Sequence, residues 1–464
     1  MKSTMDDVLF LSISEVAALY RSKEISPVEV VKLVLRRMEE WEPRLNAFIS
    51  VLGEQVLDAA QKAERAFLQH DNVPILTGIP YSAKDLFYTE HVKTTCGSRI
   101  YGDFIPTYTA TAVEKLEASG AILFGKTNML EFAYGAVHPD YGQCNNPWDT
   151  TRTAGGSSSG SAAAVAAGIG YGSIGTDTGG SIRIPASYCG VVGLKPTYGL
   201  VSAFGVFPLS WSLDHAGPIT RSVQDAAVFL DAMAGYDPRD QFSDPKLSKP
   251  ASYAAGLDRE LAGTRIGILP KALLDHGTEE VKSVFNQALQ CLSEAGCEIV
   301  EVDMPGLSSA EENLMKIMLP EASYVHRKWL DREKDYAVAT YLQLQQGISQ
   351  TAFDYLDGLE AMHAFKREVH HVFDRVDAIV TPTVAFPAPE EDPAMGDDSH
   401  NEVFFTAPFN LSGHPAISIN GGFTEEGLPI GLQFVGKYFG EADILSIAHA
   451  YERKNPLTRR PVLS

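Results

Sequence analysis

The chain has 464 residues, 45% of them hydrophobic, and a formal net charge of −21. Such a length and apolar content allow a large buried core, in two or three ordinary domains or one extended α/β domain. The acidic balance disfavours direct contact with a phosphate backbone but says nothing about a partner that brings one. Five cysteines, odd in number and without a CxxC pair, argue against a disulfide framework and for free thiols in a reducing compartment.

In chain order, the first segment reads as helices. Ser12-Ile-Ser-Glu15 and Ser26-Pro-Val-Glu29 are capping boxes, the second with proline where a missing N–H is harmless. Apolar residues then recur at Val28, Val31, Leu33, Val34 and Met38 with helical spacing. From about residue 76 to 235 short apolar runs alternate with glycine-rich turns: a helix over Val113–Ala118, a strand at Ile122-Leu-Phe124, an alanine-rich helix at Ala162–Ala167 and a helix over Ser222–Ala234. A polar loop at 237–250 leads to strand, helix and strand at Arg265–Leu269, Val281–Ala295 and Glu298–Val302, and residues 310–376 are mostly helical. A strand at Ala378-Ile-Val380, an acidic flexible loop at Pro387–His400, two strands at 415–418 and 430–435 and a last helix complete the chain. Strands alternating with helices predict an α/β layer structure. The N-terminus lacks a signal-peptide core, and the longest small-apolar stretch, 162–170, is too short to span a bilayer, so a cytoplasmic protein without a membrane contact is expected.

Three residues carry candidate chemistry. Ser181 follows Thr176-Asp-Thr-Gly-Gly180, and two glycines before a nucleophile allow a sharp turn whose N–H groups converge on one point. Donors aimed at a developing oxyanion are each worth roughly 3–4 kcal/mol in the transition state. A serine hydroxyl needs a base. Lys84, in a mostly apolar stretch, becomes a competent one if burial lowers its pKa. Ser157, in Gly155-Gly-Ser-Ser-Ser-Gly160, can relay a proton between them. Each piece also has a plain reading: a turn before a strand, a solvated lysine paired with Asp85, a flexible linker.

Together they resemble the amidase signature family. The run 155–170, then Gly175-Thr-Asp-Thr-Gly-Gly-Ser-Ile-Arg-Ile-Pro-Ala186, carries the hallmark. Further matches are Gly125-Lys-Thr-Asn-Met129 with Glu131-Phe-Ala133, the run 190–199, Ser212-Leu-Asp214 with Gly217-Pro218, Thr381-Pro-Thr383, Asn410-Leu-Ser-Gly413 and the run 427–433, spread along nearly the whole chain. The resemblance implies a Ser–cis-Ser–Lys triad: Ser181 as acylated nucleophile, Ser157 as proton relay after a cis peptide from Gly156, and Lys84 as base. It implies an oxyanion hole from the N–H groups of Thr178, Gly179, Gly180 and Ser181. It also implies one α/β domain over 1–464, a three-layer α/β/α fold with a central mixed sheet. Its parts would be a helical arm (1–70), a catalytic core (76–235), a mostly helical peripheral region (240–375) and the completion of the core (376–464). This chain has Ser159 where the family usually has glycine, Leu200 where arginine is common and an unusual Cys144.

Other motifs mislead. Gly120–Thr127 matches a P-loop pattern letter for letter, but its middle residues are apolar and read as a strand. Gly156-Ser-Ser-Ser-Gly160 matches a nucleophile elbow, yet the polar run Asn146–Arg152 before it reads as loop. A Ser-His-Asp arrangement with His215 and Asp214 is conceivable; a loop histidine near the pocket is favoured. Asp177 and Arg183 read as a structural ion pair, and His363, His370 and His371 lack metal-site spacing.

The expectation is therefore a hydrolase of small amides, anilides or carbamates, esters included, acting alone on a small-molecule substrate. It would use no cofactor or metal and no direct nucleic acid, with a homodimer left open. Met129, Phe132 and Tyr134 are candidate substrate walls, with the 204–211 loop beside them. The alternative is the glutamine-amidase component, the A subunit, of a glutamyl-tRNA amidotransferase; residues 329–365 lack the arginine- and tyrosine-rich pattern associated with glutamine binding there.

Overall fold

The computed structural model describes residues 5–246, 249–393 and 401–462. Eleven strands form one sheet. In chain order the strands are β1 Phe48–Val51, β2 Pro80–Lys84, β3 Ile122–Thr127, β4 Asn145–Asn146, β5 Asp149–Thr153, β6 Gly172–Asp177, β7 Val192–Lys195, β8 His215–Thr220, β9 Arg265–Ile268, β10 Glu298–Glu301, β11 Ala378–Pro382, β12 Ala416–Phe423 and β13 Pro429–Val435. The spatial order is β1-β3-β2-β6-β8-β7-β12-β13-β11-β9-β10, and β4 with β5 makes a separate hairpin. Pairing is mixed. The β3–β2–β6 and β11–β9–β10 groups are parallel, and the strands between them run antiparallel. β2, β6, β8, β11 and β13 are buried along their whole length, so their runs do not alternate and, apart from Lys84, Asp177, His215 and Gln433, are apolar or small.

The N-terminal helices start where the sequence says. Ser26 Oγ accepts the Glu29 N–H at 3.2 Å, and the Glu29 carboxylate accepts the Ser26 N–H at 2.8 Å. Pro27 follows as the first helical residue. From this helix Val31, Val34, Met38 and Trp41 bury against Phe124 and the alanine-rich helix Ser159–Ala166. Each fully buried valine or leucine side chain there stabilises by about 1.5–3 kcal/mol relative to exposure. The alanine-rich helix is buried on every side, which only small side chains permit.

Two segments differ from the sequence reading. Residues 240–375, expected at the periphery, supply β9 and β10 to the end of the sheet in addition to their helices. Residues 146–152, expected as loop, contain most of β5. Its threonines favour extended backbone, and it pairs only with the two residues of β4, so nothing requires it to be apolar. Part of the acidic loop, residues 394–400, lies outside the described residues. Among the described residues no helix is long and apolar enough to cross a membrane.

Candidate active site

Parallel pairing of β2 with β6 brings their carboxyl ends together, the usual place for ligands in α/β sheets. β2 ends at Lys84, and β6 ends at Asp177, four residues before Ser181. Lys84 is fully buried. Its Nζ donates to Ser157 Oγ at 2.6 Å and to Thr176 Oγ1 at 2.9 Å. Burial lowers its pKa to about 7, against the opposing pull of Asp177 and Asp214. Asp85 is not its partner. Thr95 donates to that carboxylate from N–H and hydroxyl at 2.7 and 2.6 Å, and Lys126 lies 3.3 Å away. Lys126 also donates to the Phe87 carbonyl at 2.8 Å and the Thr94 hydroxyl at 2.9 Å, so the lysine of the P-loop look-alike is sealed in the core.

Ser157 stands just before the alanine-rich helix, and the Gly156–Ser157 peptide is cis. A Cβ on Gly156 would collide with the Leu130 side chain, so glycine is required by close approach. Ser181 shares a pocket with Ser157, Gly156, Thr178 and Gly179. Its backbone is fixed on two sides: the Ser181 carbonyl accepts the Ser158 N–H at 3.2 Å, and the Asp177 carboxylate accepts the Ile182 N–H at 3.2 Å. Gly180 has φ +143°, a conformation that favours glycine. Among the described residues, the N–H groups of Thr178, Gly179, Gly180 and Ser181 have no acceptor. Unengaged donors in one turn are what an oxyanion site needs.

Charged residues around the turn are paired within the protein. Arg183 donates to both Asp177 oxygens at 2.9 Å and also to Gln433, Asn410 and the Thr406 carbonyl. Burial would raise the Asp177 pKa, but Arg183 holds it well below the usual carboxylate range. Asp214 accepts the Thr178 hydroxyl at 2.7 Å and the N–H groups of Leu209 and Ser210. Burial still lifts its pKa to about 7. His215 directs Nδ1 at the Leu213 carbonyl, 2.6 Å away, and burial beside Lys195 keeps it neutral. Asp214 is engaged elsewhere, so these two do not form a Ser-His-Asp relay. Glu321, from the helix Ala310–His326, accepts from Ser210, Ser212 and Tyr355 and so ties the helical region to the pocket loop.

The pocket wall is only partly the expected one. Tyr134 lines it; Met129 and Phe132 do not. Phe132 and Ala133 take left-handed backbone, φ 51° and 60°, which turns successive side chains to different sides. Phe132 sits instead in an aromatic cluster, 4.4 Å from the His326 ring and 4.8 Å from Phe207. The remaining wall includes Leu130, Leu209, Met315, Met318 and Val403, with the carboxylates Glu311, Asp392 and Glu402. Burial raises the pKa of both Asp392 and Glu402, and the Asp392 charge reinforces the rise at Glu402. Nothing local in the sequence marks these last residues, since most come from a helix and a loop far along the chain. Ser159 and Cys144 are buried, and neither lines the pocket.

The amidase family profile matches residues 29–445. The A subunit of glutamyl-tRNA(Gln) amidotransferase from a Geobacter species is 39% identical over 97% of this chain and 98% of its own. The solved structure of a protein from a vestigial complex, tied to the origins of an s-triazine catabolic enzyme, superposes with a TM-score of 0.90. It is 30% identical, covering 97% of this chain and 100% of that one. A peptide amidase from Stenotrophomonas maltophilia superposes with a TM-score of 0.85 at 29% identity over 97% and 98% of the two chains. These relatives correct one expectation. A chain acting alone on a small-molecule amide, without direct nucleic acid, is not what the end-to-end match to subunits of a tRNA amidotransferase supports. Surface charge argues only about one chain's own contacts, and such a component works through its assembly. The mixed sheet, the glycine-rich turn that carries Ser181 and the match over residues 29–445 agree: the chain belongs to the amidase signature family of enzymes acting on C–N bonds.

Proposed function

We propose that this chain is the amidase component of an amidotransferase of the glutamyl-tRNA(Gln) type, freeing ammonia from glutamine through an acyl-enzyme on Ser181. The observation that carries the partnership is the match at 39% identity over nearly the full length of both chains. The 2.6 Å contact of Lys84 with Ser157, in the pocket that holds Ser181, supports the chemistry. With a pKa of about 7, Lys84 is neutral in a large fraction of molecules near neutral pH and offers a lone pair along that line. Ser157 gives its proton to Nζ as it takes the proton of Ser181. The Ser181 oxygen attacks the amide carbon, and the N–H groups of residues 178–181 receive the oxyanion. The relay returns the proton to the departing nitrogen, which leaves as ammonia. Water then repeats the path and releases the acid.

The test is to purify the tagged chain from its native cells with whatever proteins accompany it. The eluate is assayed for glutamine-dependent conversion of glutamyl-tRNA(Gln) to glutaminyl-tRNA(Gln). Conversion that disappears with Ser181→Ala is expected. A chain that emerges alone, fully active on small amides and silent on charged tRNA, would overturn the proposal.

A further inference from the structure

The catalytic segment is held from behind by Leu130. Its N–H donates to the Ser157 carbonyl at 3.3 Å, and its side chain occupies the space beside Gly156. The next residue, Glu131, is fully buried. One carboxylate oxygen accepts the Ser98 hydroxyl at 2.6 Å; the other accepts the Ala337 N–H at 2.8 Å, at the N-terminus of the helix Val338–Ser349. The Glu131 N–H donates to the Ala136 carbonyl at 2.7 Å. No cation among the described residues is bonded to this carboxylate, and burial lifts its pKa to about 7. The titratable groups near it are Tyr336, whose phenol burial and Glu131 push up, and His326, held neutral by burial and bonded to Tyr336.

A sealed carboxylate without a counter-charge is unfavourable. So are the two left-handed residues that follow it, Phe132 and Ala133. Both features adjoin Leu130, and a glutamine or methionine would fill the same volume. What the ionised carboxylate supplies is two acceptor oxygens with no donor of its own, one for the rotatable Ser98 hydroxyl and one for the fixed Ala337 N–H.

We propose that Glu131 is a positioning residue: its two bridging bonds fix the Leu130 peptide and thereby hold Ser157 in line between Lys84 and Ser181. Glutamine in its place keeps the shape, but with its amide oxygen on the fixed Ala337 N–H it turns an NH2 toward Ser98 Oγ, which must then give up its donor role and already accepts the Ile100 N–H at 3.2 Å. The Leu130 peptide then shifts, and with it the relay.

The inference rests on the reading of Ser181 as nucleophile, so the experiment reads that residue directly. The full-length chain is labelled with a small fluorophosphonate. The modified residue is identified by mass spectrometry, and the maximal labelling rate and half-saturating concentration are measured beside the thermal midpoint. Wild type should label at Ser181. Glu131→Gln should label about tenfold to a hundredfold more slowly, as small displacements of reacting groups do. The loss should lie in the maximal rate, with half-saturation and thermal midpoint unchanged. Ser98→Ala, which removes one arm and leaves the carboxylate, should slow labelling by a smaller factor. A folded Glu131→Gln labelled within about twofold of wild type overturns the inference, since displacement of the relay costs more than that. If that variant does not fold, unchanged labelling of Ser98→Ala overturns it. Wild type that is not labelled at Ser181 removes the reading beneath it, and the inference falls with that reading.

Discussion

Arg183 grips Asp177 with two parallel bonds of 2.9 Å, both side chains at 0% exposure. The remaining N–H groups of the guanidinium reach Gln433, Asn410 and the Thr406 carbonyl, so β6, β13 and the segment 406–410 converge on the turn that carries Ser181. Removing one partner of a buried, bonded pair leaves an uncompensated charge, at about 3–5 kcal/mol. Arg183→Met should lower stability by that amount in denaturant titration. Arg183→Lys should not restore it, since an ammonium lacks the planar fork. Asp177 is depressed in the folded state, so its contribution is present above the unfolded carboxylate range and fades as pH falls. Wild type should therefore lose more stability than Arg183→Met on acidification below about pH 4.

Lys84 sets the pH dependence. Its neutral form is the active one, and burial brings its pKa to about 7, so kcat/KM should rise with pH through about 7 and then level. Lys84→Ala should lose activity by several orders of magnitude at every pH, with KM little changed. Lys84→Arg should be equally inactive, because a guanidinium stays protonated. A steady-state pH profile of the three proteins checks this.

Asp214 holds the Thr178 hydroxyl at 2.7 Å and two loop N–H groups, so it shapes the turn without facing the reacting bond. Asp214→Ala should reduce kcat by about tenfold to a hundredfold through misplaced oxyanion donors, with a smaller change in KM. Steady-state kinetics on one amide substrate separates the two effects.

Gly180 has no room for a side chain. A Cβ there would collide with Thr406 and Ile184, and φ +143° is strained for any other residue. Gly180→Ala should fold, since the sheet lies elsewhere, but kcat should fall by at least about a hundredfold, as when one oxyanion donor is lost. Circular dichroism with a rate assay distinguishes this from general unfolding.

The site is legible in the sequence where its residues are local. Lys84, Ser157 and Ser181 each stand in a short run whose glycines and strand ends dictate the geometry, and Tyr134 lies in the pocket with the two serines. The rest of the wall is less legible. Phe132 turns away where it and Ala133 adopt left-handed backbone, which no local pattern announces, and Met129 is buried beside Gly97 instead. Met315, Met318 and Glu402 arrive from far along the chain, out of a region that reads as peripheral and from beyond a loop that reads as flexible. β9 and β10 are recognisable as strands, but their place at the end of the central sheet depends on parallel pairing of β9 with β11, a strand far along the chain. The proposed membership of a larger assembly enters the sequence reading only as the alternative, for a different reason: the charge of one chain carries no information about what joins it.

The most direct test of the central claim is to trap the intermediate. The complex recovered through the tagged chain is mixed with L-glutamine, quenched in acid during turnover and examined by peptide mass spectrometry. The account predicts a glutamyl ester on Ser181, absent from Ser181→Ala and from Lys84→Ala. Ammonia release that persists in Ser181→Ala, or an adduct on any other residue, would contradict it.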